Sequence, residues 1–181
     1  MTRVPLIEAA DTSGERKELL DQIKNTFGAV PAMFRATANS PAALKSMFGS
    51  FAALGQGSLP PKLGELIAIA IANRNSCEYC LAAHAALGRK AGASSSEVAD
   101  AQIGQSRDAQ TSAALSFVLK LVDERGHVSE TDIAALRSAG FDNERIVEVI
   151  AHVALNLFTN YLNVALAVPV DFPAVKLRNA A

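Results

Sequence analysis

ELIAIAIANRNSCEYCLAAHAALGRKAG, residues 65–92, holds both cysteines of the chain, Cys77 and Cys80, with His84 one helical turn beyond them and Glu65 ahead of the first thiol. A helix starting near Pro61 runs through Leu66, Ile67, Ala70 and Ile71 and is apolar nearly all round, which calls for deep burial. Asn73, Arg74, Asn75 and Ser76 then interrupt the pattern. Ser76 is a good N-cap for a second helix opening at Cys77 and ending before Gly88 or Gly92. The stretch therefore reads as two helices joined by a short turn, with Glu65 on the first and the thiols on the second.

The flanking sequence repeats this punctuation. Ser13 or Thr12 can cap a helix ending near Gly28, Pro31 suits the first turn of a short helix ending near Asn39, and Ser40-Pro41 opens another that reaches Gly55. In that last segment Leu44, Met47, Phe48 and Phe51 share one face and read as core. Beyond the thiols, Ser94 with Glu97 has the capping-box pattern and Ser129 with Asp132 is its acidic variant. Between them Arg107 to Arg125 carries an apolar face, and Asp142 or Asn143 starts the longest candidate helix, which runs to about Ala167. Only VPLI near the N-terminus and the tail Val168–Pro173 look extended. The fold class is all-α, and the simplest organisation is one domain over residues 1–181. A weak self-similarity between Glu65–Leu87 and Arg145–Ala167 raises the option of two related helical halves, of which only one carries thiols.

A chain of 181 residues that is 50% hydrophobic can bury a core. Seventeen basic and eighteen acidic residues, well mixed, leave no basic footprint for nucleic acid. The N-terminus lacks a signal-peptide pattern and no window reaches about 18 uninterrupted apolar residues, so a cytoplasmic protein without a membrane partner is expected. In a reducing compartment two cysteines spaced CxxC point to redox or metal chemistry rather than a structural staple.

On one helix, Cys77, Cys80 and His84 fall within about 60° of each other and can meet. Unsatisfied amides at the start of that helix favour a thiolate, and an imidazole nearby can take its proton. A thiolate three residues from a second thiol can be oxidised to a sulfenic acid and resolved to a disulfide. Glu65, among apolar neighbours, needs a partner such as a thiol, a histidine or water, or else serves only the helix dipole. The residues alone leave open which thiol attacks: Cys77 is nearer the helix end and Cys80 is nearer His84.

Glu65, eleven intervening residues and then Cys77-x-x-Cys80-x-x-x-His84 resembles the core motif of the AhpD-like alkylhydroperoxidases, in the wider carboxymuconolactone decarboxylase-like superfamily. NLFTNYLNVALAVPVDFP, residues 156–173, is similar to a segment of the peroxidase-related subgroup. The resemblance implies a single AhpD-like helical domain with its redox motif at 65–84. It also implies a thiol peroxidase in which Cys80 attacks a hydroperoxide, Cys77 resolves it, and Glu65 and His84 relay protons. A dithiol protein or small thiol would recycle the disulfide, and a homo-oligomer built on trimers is expected, with no cofactor and no bound metal. Better-studied members carry a histidine between the cysteines where this chain has Tyr79, whose phenol is a poor proton store at neutral pH.

Other readings stand beside this one. The two thiols, His84 and Glu65 are four possible zinc ligands, although a second separated ligand pair is missing. Leu81 excludes CxxCH haem attachment. Simple buried cysteines are the bland case. A redox-responsive interaction protein, or a general disulfide oxidoreductase with little peroxidase turnover, is the alternative function. His152, Asn156, Thr159, Asn160 and Asn163 form one stripe of the long helix. Amides in place of lysine and glutamate suggest an enclosed face, packed near the Cys80 helix or at a subunit contact, with Asn156 and Asn160 as possible relay or supporting residues beside Tyr79.

Overall fold

The computed structural model describes residues 1–178. Among them are a 3-10 turn, Ala9–Asp11, and helices α1 (Gly14–Phe27), α2 (Ala32–Thr37), α3 (Pro41–Leu54), α4 (Pro61–Arg74), α5 (Glu78–Lys90), α6 (Ser95–Gln102), α7 (Ala109–Asp123), α8 (Glu130–Ser138) and α9 (Asn143–Leu166). No strand occurs among the described residues, and the helices form a single all-α domain.

α4 is the axis of the molecule because its middle is apolar on every side. Leu63 and every residue from Leu66 to Ala72 are buried, and the helix packs against α5, α6, α7 and α9. α5 folds back beside it, and Gly88 is where the two come together. A Cβ there would lie 3.5 Å from both Glu65 Cβ and Ile69 Cδ1. With Gly88 over Glu65, the start of α5 is carried back toward the end of α4.

Local signals set most helix ends. Ser94–Glu97 and Ser129–Asp132 both form reciprocal capping boxes, and Ser40, Asp108 and Asp142 cap α3, α7 and α9. Lys62 and the Ser94 donors hold Glu97 at a pKa of about 2, and Lys120 with the Ser129 donors does the same for Asp132. The break between α4 and α5 differs from the sequence expectation by one residue. Ser76 takes a left-handed φ of 54° and Cys77 is the N-cap, its sulfur accepting the Cys80 amide. The Cys77 amide reaches back to Ala72 O at 2.9 Å, so the chain reverses within Asn75 and Ser76 and a serine cap has no room to form.

Aromatic packing of Phe27, Phe34, Phe48 and Phe51 ties α1, α2 and α3 together, with Met47 fully buried behind them. Glu148 on α9 gathers the loop before α4, accepting from the Ser58 and Leu59 amides at 2.8 and 3.1 Å and from Ser58 Oγ at 3.1 Å. Its carboxyl is held below the usual range, chiefly by the Ser58 amide. A Cβ on Gly57 would sit 2.8 Å from the Glu148 oxygens, so any larger residue would displace this carboxylate from the loop amides.

α9 is unbroken over 24 residues where α4 and α5 are two helices, so the suggested halves do not share the turn that carries the thiols. Its length and a mean hydropathy of 1.4 would suffice for a membrane span. Its inward face is core, with Ile146, Val149 and Val153 buried, while Val147, Ile150, Phe158, Tyr161 and Val164 are exposed. Arg3 covers the end of α9, its amide and guanidinium donating to Leu166 O and Ala165 O, each at 2.8 Å. The extended tail after α9 returns along α4 and α6: Asn73 exchanges two hydrogen bonds with the Arg178 backbone, and Gln102 donates to Lys176 O.

Candidate active site

The turn at Asn75 and Ser76 brings Cys77 and Cys80 together at the opening of α5, where they form a disulfide with Cα atoms 5.4 Å apart. Both are buried, at 1% and 2% exposure. Cys77 is held from its own helix, since its sulfur accepts the Cys80 backbone N–H at 3.2 Å. Cys80 is held from across the fold, by the Asn163 side-chain amide at 3.2 Å from α9.

His84, one turn along α5, faces α4. Its Nδ1 lies 2.8 Å from Glu65 Oε2, with side-chain exposures of 15% and 24%, so the partner that Glu65 needed is the imidazole. With Nδ1 engaged, Nε2 is the ring nitrogen left for proton transfer. The dithiol and the acid–base pair thus occupy neighbouring turns of α5, each braced by a different helix.

Of the two placements open for the α9 stripe, the structure shows contact with the Cys80 helix. Asn163 binds Cys80 Sγ, and Asn160 Oδ1 accepts from Asn75 Nδ2 at 3.1 Å, which pins the turn before the thiols. Asn156 donates to the His152 carbonyl on its own helix. His152 sits beside Gly64, where a Cβ would lie 3.7 Å from its Cε1. Burial lowers its pKa against the opposing pull of Glu148 and Glu65, and His84 lowers it further. His152 Nε2, Asn156 Oδ1, Asn160 Nδ2 and Asn163 Oδ1 are enclosed and make no hydrogen bond among the described residues.

Tyr79 points elsewhere. Its hydroxyl donates to Asp171 Oδ2 at 2.8 Å and accepts from the Met33 amide at 3.4 Å, and its ring packs edge-on to Phe172. Asp171 also accepts the Ala32 amide at 2.6 Å. Burial and the Asp171 contact push the phenol's pKa far above its ordinary value. In this position Tyr79 joins the tail to α2 and α5.

Residues 41–124, which include Glu65, both cysteines and His84, match the model of the carboxymuconolactone decarboxylase family. A solved AhpD-core, peroxidase-related protein from Ralstonia eutropha superposes with a TM-score of 0.84 at 26% identity, over 94% of this chain and 92% of that one. The chain's fold is AhpD-like. A second peroxidase-related protein, from a Silicibacter species, superposes on this chain with a TM-score of 0.80 at 24% identity, covering 93% and 91% of the two chains. The debrominase Bmp8, solved with 2,3,4-tribromopyrrole, shares the AhpD-like fold at 17% identity with a TM-score of 0.76 over 94% of each chain. A search of curated proteins by sequence finds no match.

Asn163 is the site residue that sequence reasoning placed on a stripe without giving it a role. The available signal was its register with Asn156 and Asn160, which marks an enclosed face but not its partner.

Proposed function

We propose that this protein is a dithiol peroxidase that reduces hydroperoxides through Cys80 and Cys77, with Glu65 and His84 moving the protons. The observation that carries the reading is a closed CxxC disulfide at a helix start, one turn from a half-buried Glu65–His84 pair, in an AhpD-like fold. In the reduced protein His84, oriented by Glu65, takes the Cys80 proton. The thiolate attacks the terminal oxygen of the hydroperoxide, the O–O bond breaks, and the departing alkoxide collects that proton from the imidazole and leaves as an alcohol. Cys80 is then a sulfenic acid. Cys77 sulfur attacks Cys80 sulfur, the S–S bond forms, and the expelled hydroxide takes the Cys77 proton and leaves as water. Two electrons from a dithiol protein or small thiol reopen the disulfide.

Limiting hydroperoxide added to reduced protein tests this. One equivalent should be consumed per chain with loss of two thiols. Cys80→Ser should consume none, and Cys77→Ser should stop at a sulfenic acid trapped by dimedone. Undiminished consumption by Cys80→Ser refutes the reading.

A redox-responsive interaction protein is favoured by one specific observation, the near-complete burial of both sulfurs. Sustained turnover with excess dithiol supports the enzyme, whereas one oxidation followed by altered association supports the switch. The exposed apolar row Val147, Ile150, Phe158, Tyr161 and Val164, beside a groove of about 400 Å³ lined by Leu54, Ala154 and Phe158, supports a second copy of this chain as the partner of α9. Sedimentation showing a monomer at all concentrations would remove that part of the proposal.

A further inference from the structure

We propose that Asn163 is a catalytic residue of the dithiol centre, which selects Cys80 as the ionised sulfur by donating its side-chain N–H to Cys80 Sγ. The contact is 3.2 Å long, and donor and acceptor are both buried, at 3% and 2% exposure. The orientation of the amide follows from chemistry. A disulfide sulfur or thiolate has no proton to give, so only the NH2 end of the amide can bind it.

Asn163 is fixed from behind. Its main-chain carbonyl accepts the Ala167 and Val168 amides where the chain leaves α9, which anchors the backbone that carries the side-chain amide. The donor already touches Cys80 Sγ while the disulfide is closed, so it is in place before the thiolate forms.

The two sulfurs are treated unequally. Cys77 accepts a main-chain N–H at the helix opening, a donor that any residue after it would supply. Position alone favours Cys77, because the helix end lies nearest to it. Cys80 receives a donor that only the side chain at position 163 provides. A neutral disulfide sulfur is a weak acceptor and a thiolate a strong one, so the same contact strengthens when the disulfide opens and the negative charge appears on Cys80. It favours the dithiol form over the disulfide and makes the centre a stronger oxidant. This deepens the peroxidase reading and rests on it for its place in a catalytic cycle, but the ionisation itself does not.

The test is thiolate absorbance against pH in reduced single-thiol proteins. Cys77→Ser reports Cys80, and Cys80→Ser reports Cys77; Cys80 should titrate at the lower pH. Adding Asn163→Leu to Cys77→Ser should raise the Cys80 titration by about one pH unit, a tenfold loss of thiolate below both values. Asn163→Asp, close in size, should raise it further by replacing a donor with a carboxylate. In the two-cysteine protein, Asn163→Leu should make the disulfide about tenfold harder to reduce by dithiothreitol at a pH where Cys80 is ionised. A lower titration for Cys77 than for Cys80 overturns the proposal without any change at Asn163. So does a Cys80 titration that stays within 0.3 units, on the order of experimental error, in either folded variant. Neither readout uses peroxide. A protein that ionises Cys80 through Asn163 yet consumes no hydroperoxide would refute the peroxidase reading alone, and an active peroxidase whose titration ignores Asn163 would refute this one alone.

Discussion

Glu65→Gln isolates the charge of the acid–base pair. Glutamine keeps the length of the side chain and can still accept the His84 Nδ1 proton across the present 2.8 Å, so the ring stays in place while the charge is removed. When His84 carries the Cys80 proton it becomes a cation beside that carboxylate. Charge centres about 4 Å apart interact by about 4 kcal/mol at an effective dielectric of about 20, and by about 1 kcal/mol in water. Exposures of 24% for Glu65 and 15% for His84 put this pair between the limits. About 2 kcal/mol of transition-state stabilisation then depends on the charge, and peroxide consumption should slow about thirtyfold, with a melting temperature close to that of the wild type. The assay is single-turnover hydroperoxide consumption by reduced protein. His84→Asn should lose at least as much, and the double variant should lose little more than His84→Asn alone, because both substitutions disable one device. A Glu65→Gln rate within threefold of wild type, or losses in the two single variants that simply multiply, would refute a coupled relay.

Glu148→Ala should lower stability by about 2 kcal/mol, an estimate reduced for solvent screening, and the melting temperature by about 4–8 °C by thermal denaturation, because it releases the loop before α4. The Glu148 carboxyl is more acidic folded than unfolded, so its contribution is full above the unfolded value of 4.5 and is lost as pH falls below it; acid denaturation of Glu148→Ala should be shallower there. His152 has a lowered folded pKa, so the unfolded chain takes up this proton first as pH drops through 6.5 and stability falls; His152→Gln should flatten that part of the curve in urea titrations at several pH values. Tyr79 has a raised folded pKa, so its contribution is full below 10 and is lost as pH rises above it; Tyr79→Phe should remove this alkaline loss and speed proteolysis of the tail after α9, while leaving the Cys80 titration unchanged.

The caps show what a single sequence reveals. Ser94 with Glu97, Ser129 with Asp132, and the prolines opening α3 and α4 act within three residues, so their pattern is complete in the chain. The one-turn spacing of Cys80 and His84 along α5 follows from the same short-range geometry. Residue type alone marks Ser76 as a cap, but its conformation is decided by the Cys77 amide reaching back to Ala72, a requirement of reversal between two packed helices. Asn163 reaches Cys80 across 83 positions and Tyr79 reaches Asp171 across 92. Nothing local distinguishes these polar side chains from those that simply line a helix seam.

The division of the site between helices follows from α4 itself. A helix packed on most of its surface holds a carboxylate best where a partner meets it, and α5 supplies that partner as His84 by folding back tightly at Asn75 and Ser76. The same reversal makes Cys77 the first capping residue and places Cys80 against α9, so the two sulfurs acquire different donors through topology alone. Straightening the turn would separate Glu65 from His84 and Cys80 from Asn163 together. Asn160 opposes this by accepting from Asn75 across to α9, alongside the Cys77 amide bond to Ala72, which gives the amide stripe two tasks: Asn160 helps to hold the turn closed, and Asn163 binds the sulfur that the closed turn presents.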